Sequence, residues 1–141
     1  MSNEKFTVDA ETAEVEFDRF CDAMDLEFDE SQMDEETREQ FRALKRKFIT
    51  AVRKGVLEVN DNGEPEVKLS MSYGENSPTV VKFREPRGSD FMQVDRAKKN
   101  ESAKKSYLVM ASITGQPVKL FGDMRKRDLD VCQAVIGLFM D

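Results

Sequence analysis

Leu57-Glu58-Val59-Asn60-Asp61-Asn62-Gly63-Glu64-Pro65-Glu66-Val67-Lys68-Leu69-Ser70-Met71-Ser72-Tyr73 is the stretch in which the periodicity of the chain changes. Val67, Leu69, Met71 and Tyr73 alternate with Glu66, Lys68, Ser70 and Ser72, the period of two that marks a strand with one buried face. Leu57 and Val59 form a shorter run before Asn62-Gly63, a strong hairpin signal. After Gly74-Glu75-Asn76-Ser77-Pro78, residues 79–84 are again strand-like. Pro86 ends that strand, because proline cannot donate to a ladder. The expectation is a three-stranded antiparallel meander.

On the N-terminal side the apolar spacing is helical. Ala13, Phe17, Phe20 and Met24 recur at intervals of 4, 3 and 4, which aligns them on one helical face. Glu14, Asp18, Asp22 and Asp25 fall largely elsewhere, so residues 10–26 read as an amphipathic helix with an acidic outer surface. A second helix is expected after Asp34, whose carboxylate can cap it, with Glu35 and Glu36 favouring the positive end of its dipole. Its apolar stripe is Phe41, Leu44, Phe48 and Val52; Arg46, Lys47, Arg53 and Lys54 crowd its last turns, and Gly55 takes the left-handed stop. On the C-terminal side Ser89 caps a short helix carrying Phe91 and Val94. Ala103, Tyr107, Met110 and Ile113 fit a second, stopped by Gly115 and Pro117, and Leu129, Cys132, Val135, Ile136 and Phe139 line a third. The expected fold is α+β: an N-terminal helical hairpin, a small three-stranded antiparallel meander and three C-terminal helices. An acidic helical segment, 1–55, and a sheet-plus-helix segment, 56–141, share one domain.

The 141 residues suffice for one domain with its own core. At 39% apolar and 35% charged the chain reads as soluble, and no apolar run approaches the roughly 18–20 residues of a membrane span. The first residues, Met-Ser-Asn-Glu-Lys-Phe-Thr, lack the pattern of a secretory signal. The absence of histidine removes Ser-His and Cys-His pairs and all His metal ligands. Cys21 and Cys132 read as small buried hydrophobes, a bridge between first and last helices being left open. Carboxylates alone could still catalyse, but no glycine-rich phosphate loop or catalytic constellation accompanies them. The expectation is no enzyme, no cofactor and no metal. The run Asp25–Glu36 offers oxygen-bearing residues at calcium-loop positions, yet places Glu30 where such a loop needs glycine. It reads as an acidic interhelical loop.

Charge is unevenly spread. Residues 1–40 hold 15 acids and 3 bases, whereas residues 41–141 hold 13 acids and 19 bases. The interval 82–127 carries 12 bases against 5 acids, among them Arg84, Arg87, Lys98, Lys99, Lys104, Lys105, Arg125, Lys126 and Arg127. Nucleic acid would want these on one face, interleaved with aromatics; they scatter over three helices and two loops instead. The reading favoured is a solvated face, or one that attracts the acidic N-terminal helix of another copy. Eight methionines serve mainly as core filling, with adaptable partner contacts as the second use.

Residues 79–141 carry an ordered set of short motifs. Phe83-Arg84-Glu85-Pro86 ends a strand, Arg87-Gly88-Ser89-Asp90-Phe91 opens a helix, Leu108 to Gly115-Gln116-Pro117 closes the next, and Arg127-Asp128-Leu129-Asp130 leads into Val135-Ile136-Gly137-Leu138-Phe139-Met140. In this order the chain resembles the tail assembly chaperones of long-tailed bacteriophages, especially Mu-like contractile phages. Segment 1–54 is not part of the family pattern. The resemblance implies a non-catalytic protein of the host cytoplasm, absent from the mature virion. Such a protein would bind the phage tape-measure protein, keep it soluble and help tail-tube protein assemble around it, without membrane or cofactor. Phe17, Phe20 and Met24 are the first choice for the wall of a partner-binding groove, with packing inside the domain as the plainer reading. Two other functions fit the sequence: a nucleic-acid-binding regulator using 82–127, and a structural tail or baseplate subunit. Homo-oligomerisation is left open.

Overall fold

Three strands align their inward side chains in one row, and the rest of the molecule packs on that row. In the computed structural model, which describes residues 6–92 and 102–140, β1 (Leu57–Val59), β2 (Pro65–Lys68) and β3 (Val80–Lys82) form an antiparallel sheet in the order β1-β2-β3. Register pairs Leu57 with Val67 and Val67 with Val81, and all three side chains are buried. The outward face is polar apart from Val80, which is 39% exposed, with Lys68 Nζ 2.6 Å from Glu58 Oε1. The meander is therefore as expected, and Gly63 closes its first turn. The Gly63 N–H donates to the Asn60 carbonyl at 2.9 Å, with Gly63 in the left-handed region at φ +78°.

The second strand is shorter than its alternation implies. Ladder-type bonds run on through Leu69 N–H to the Thr79 carbonyl at 2.9 Å, but Met71 is left 46% exposed rather than inward. The strand ends because Ser70 and Tyr73 are drawn aside to Asp128, as described below.

The N-terminal hairpin consists of α1 (Ala10–Ala23) and α2 (Glu35–Arg53), joined through a single 3-10 turn, Glu30–Gln32. Asp34 caps α2 by accepting the Thr37 N–H at 2.7 Å, and Asp9 caps α1 in the same way through Thr12. Both helices end in paired terminal bonds of the Schellman type. In α2 Val56 N–H reaches the Ala51 carbonyl and Gly55 N–H the Val52 carbonyl, the left-handed Gly55 stop expected from sequence. In α1 the equivalent left-handed residue is Asp25 (φ +54°), so the helix stops at Ala23 rather than running to 26.

Towards the C-terminus come α3 (Gly88–Phe91), α4 (Ser102–Thr114), α5 (Val118–Asp123) and α6 (Lys126–Met140). Helix α5 is an addition to the sequence reading; its single apolar pair, Leu120 and Phe121, is buried but too short to show a period. The short helix starts at Gly88, one residue before the expected Ser89 cap. Val94, Lys98 and Lys99 lie outside the described residues.

Helices α1 and α6 both pack against α2, so α1 and α2 are part of the core and not an appended arm. Phe20 stacks on Phe48 with ring centroids 4.9 Å apart and meets Phe139 edge-on at 5.4 Å, joining α1, α2 and α6. Cys21 and Cys132 are both free thiols, and burial pushes each up to about 12. Among the described residues no helix is long and apolar enough to cross a membrane.

Candidate functional site

Among the described residues two carboxylates are buried, and each organises a junction. Asp90, on α3, accepts both terminal nitrogens of Arg84 at 2.7 and 2.9 Å, the Ser112 hydroxyl at 2.5 Å and the Arg87 N–H at 2.6 Å. Arg84 also donates to the Ser112 carbonyl at 3.1 Å. The end of β3, α3 and α4 are thus tied by one acid. Asp128, in the first turn of α6, accepts the Ser70 N–H at 3.1 Å, the Ser70 hydroxyl at 2.8 Å and the Tyr73 hydroxyl at 2.5 Å. The Tyr73 oxygen in turn accepts the Arg125 N–H at 2.9 Å. Burial, and the bond that it donates to Asp128, raise the Tyr73 phenol above its ordinary pKa. Every polar group in both clusters has a partner supplied by the fold. They are latches, and Asp90 and Asp128 are residues of the motifs that carry the phage-chaperone resemblance.

The Asp90 latch makes a prediction about acid. The Arg84 bonds hold the Asp90 carboxyl well below the usual carboxylate range, helped by Ser112 and the Arg87 N–H. A carboxyl lowered on folding contributes stability that is fully present above its unfolded pKa of about 3.9 and is lost as pH falls towards the folded value. Wild-type protein should therefore lose stability below about pH 4 more steeply than Asp90→Asn, measured by urea unfolding from pH 7 to 2. Parallel curves for the two proteins would mean that the pair is not formed.

Beside the Asp128 latch lies a groove of about 570 Å³ between α2 and α6, closed at one end by β2 and Ser70. One face of α2 supplies Ala43, Arg46, Lys47, Thr50 and Ala51 at helical spacing, continued by its C-cap Lys54; Arg127 and Val131 of α6 stand opposite. Ala43, Ala51, Val56, Leu69 and Val131 make an apolar floor, and Arg46, Lys47, Lys54, Lys68 and Arg127 a cationic rim against one rim acid, Asp130. Asp130 is held by Lys126 at 2.8 Å and Lys68 by Glu58. Arg46, Lys47 and Arg127 have no hydrogen-bond or ion-pair partner among the described residues.

The residues chosen from sequence as a groove wall are elsewhere. Phe17, Phe20 and Met24 are 4%, 0% and 6% exposed. Phe17 meets Phe48 edge-on at 5.3 Å, and Phe20 is enclosed by Phe48 and Phe139. Their stripe is filled by the protein's own α2 and α6, leaving no open face for a partner. The basic interval is also divided: Arg84 is held by Asp90, Lys119 by Asp123 at 3.1 Å and Lys126 by Asp130, while among its described residues Arg127 alone joins the groove. Of the methionines, Met24, Met110 and Met124 fill the core and Met71, Met92 and Met140 are exposed.

The acidic loop is occupied by internal bonds. Asp29 accepts from the Ser31 N–H and hydroxyl, Glu30 pairs with Arg42 at 2.5 Å, and Arg38 donates to the Glu30 and Met33 carbonyls. Among the described residues no cluster of three acids or cysteines is placed to hold a metal ion. No family model, curated protein or solved structure matches the chain. Sequence reading missed the groove because Arg46 and Lys47 look like ordinary complements to a helix C-terminus, and nothing in a linear pattern couples them to Arg127.

Proposed function

We propose that this protein is a non-catalytic tail assembly chaperone of a long-tailed phage, which binds the tape-measure protein in the host cytoplasm while tail-tube protein assembles. The observation that carries the reading is the α2/α6 groove. It is an apolar trough with charged edges on two rigid helices, the form used to seat one face of an amphipathic helix. The apolar residues of such a helix, at i, i+3 or i+4, and i+7 spacing, would lie along the floor made by Ala43, Ala51 and Val131. The resemblance of the motif order in 79–141 to tail assembly chaperones supports the tape-measure protein as the partner, and the latches at Asp90 and Asp128 give those motifs a shared structural purpose.

Co-expression tests it. The tape-measure protein encoded with this chain should move from the insoluble to the soluble fraction. The complex should survive about 0.5 M salt, because screening weakens charge contacts and leaves apolar burial in place. Ala43→Glu, which puts a carboxylate on the half-buried floor of the groove, should abolish the rescue. A tape measure that stays insoluble at every ratio, together with DNA binding that collapses over the same salt range, would replace this reading with the nucleic-acid regulator. Stoichiometric presence in purified particles would replace it with a structural tail subunit.

A further inference from the structure

The rim of the groove asks for anions, and the chain itself displays a matching set. On the outer face of α1, Glu11, Val15, Asp18 and Asp22 follow one another at intervals of 4, 3 and 4, so they form a single stripe. All four are exposed, Val15 by 52%. None of the three carboxylates has an ion-pair or hydrogen-bond partner among the described residues, whereas the neighbouring Glu14 is held by Lys45 at 3.2 Å. An exposed valine flanked by unpaired acids on a helix is the complement of an apolar floor flanked by Arg46, Lys47 and Arg127.

Lengths also agree. From Glu11 to Asp22 is eleven residues of helix, about 16 Å at 1.5 Å per residue. From Ala43 to Lys54, the stretch of α2 and its C-cap that lines the groove, is eleven residues and the same about 16 Å. Within one protomer α1 packs on α2 through its opposite, aromatic face, so its acidic stripe points away and is available only to another molecule.

We infer that the groove of one copy receives the Glu11–Val15–Asp18–Asp22 stripe of a second copy, in a head-to-tail contact. Val15 sits on the apolar floor, and the carboxylates face Arg46, Lys47 and Arg127. The two surfaces differ, so the contact is heterologous: each copy keeps one used and one unused half unless a ring closes. One helical stripe buries less than the roughly 1,200 Å² of a stable complex, so the association is weak and electrostatic. It would cover the groove until a stronger partner displaces it. The inference uses only the groove and α1, and it stands apart from the identity of any such partner.

Sedimentation equilibrium of the full chain tests it. At about 0.1 M salt, where the Debye length of about 10 Å screens the overall −6 charge but not contacting groups, the apparent mass should rise with concentration above 16.2 kDa. At about 0.5 M salt it should return to the monomer. Asp18→Lys breaks the stripe and Arg46→Glu breaks the rim, each at an exposed site that leaves the circular dichroism and melting curve unchanged. Each variant alone should associate at least about tenfold more weakly, since like charges then face each other. Mixed together, the intact groove of the first and the intact stripe of the second should restore a 1:1 heterodimer. A wild-type protein that stays monomeric, variants that associate as before, or a mixture that stays monomeric would each overturn the inference. A groove that still solubilises the tape measure in any of those cases would show that its occupant is the partner and not a second copy.

Discussion

Phe20→Ala should lower the unfolding free energy by about 3–5 kcal/mol, a large part of the roughly 5–15 kcal/mol available to a domain of this kind. The ring is 0% exposed and lies between Phe48 and Phe139, so one side chain connects α1, α2 and α6. Removing it forfeits the transfer free energy of the ring and leaves a cavity that three helices cannot jointly collapse. Val15→Ala, five residues away on the exposed face of the same helix, should change stability by less than about 0.5 kcal/mol. Urea unfolding measures both, as midpoint shifts at constant slope. A Phe20 effect no larger than that of Val15 would mean that α1 does not pack on α2 and α6 through this face.

Gly63→Ala should cost about 2–5 kcal/mol, an unusual loss for the addition of one methyl group, from left-handed strain of about 1–2 and overpacking of about 1–3. The residue sits at φ +78°, and a Cβ built there meets the Ala23 Cβ at 2.0 Å and the Arg19 carbonyl at 3.4 Å. Neither obstacle is the tip of a flexible side chain. The loop cannot step back easily, because Arg19 Nη2 donates to the Asn60 carbonyl at 2.9 Å. The Asn60 side chain also accepts the Asn62 and Glu64 N–H groups. Ala23→Gly removes the obstructing methyl, so Ala23→Gly/Gly63→Ala should be more stable than the sum of its two single changes by about 1 kcal/mol or more. Simple additivity in that cycle would mean that the turn does not lie against the end of α1.

Local chemistry made much of this architecture legible. Asp34 reads as a cap and Gly55 as a stop because both act on backbone groups within a few residues, and both do so here. Val67 reads as inward because a period of two needs no knowledge of the partner strand, whereas Val80 and Val81 are adjacent and only the strand register turned Val81 inward. The alternation failed only beyond Lys68, where Ser70 and Tyr73 bond to an acid more than fifty residues away.

For the site, the sequence determined the ingredients: an acidic first helix, a basic end to the second, and Phe17, Phe20 and Met24 on one face. A repeating apolar spacing says that a face is covered and cannot say by what. Only the tertiary structure decided that α2 and α6 cover it, which moved those three residues from a surface wall to the core. The same packing set Arg46 and Lys47 across a trough from Arg127. Charge–charge proximity depends on distance in space, and the chain separation of these residues carries no record of it.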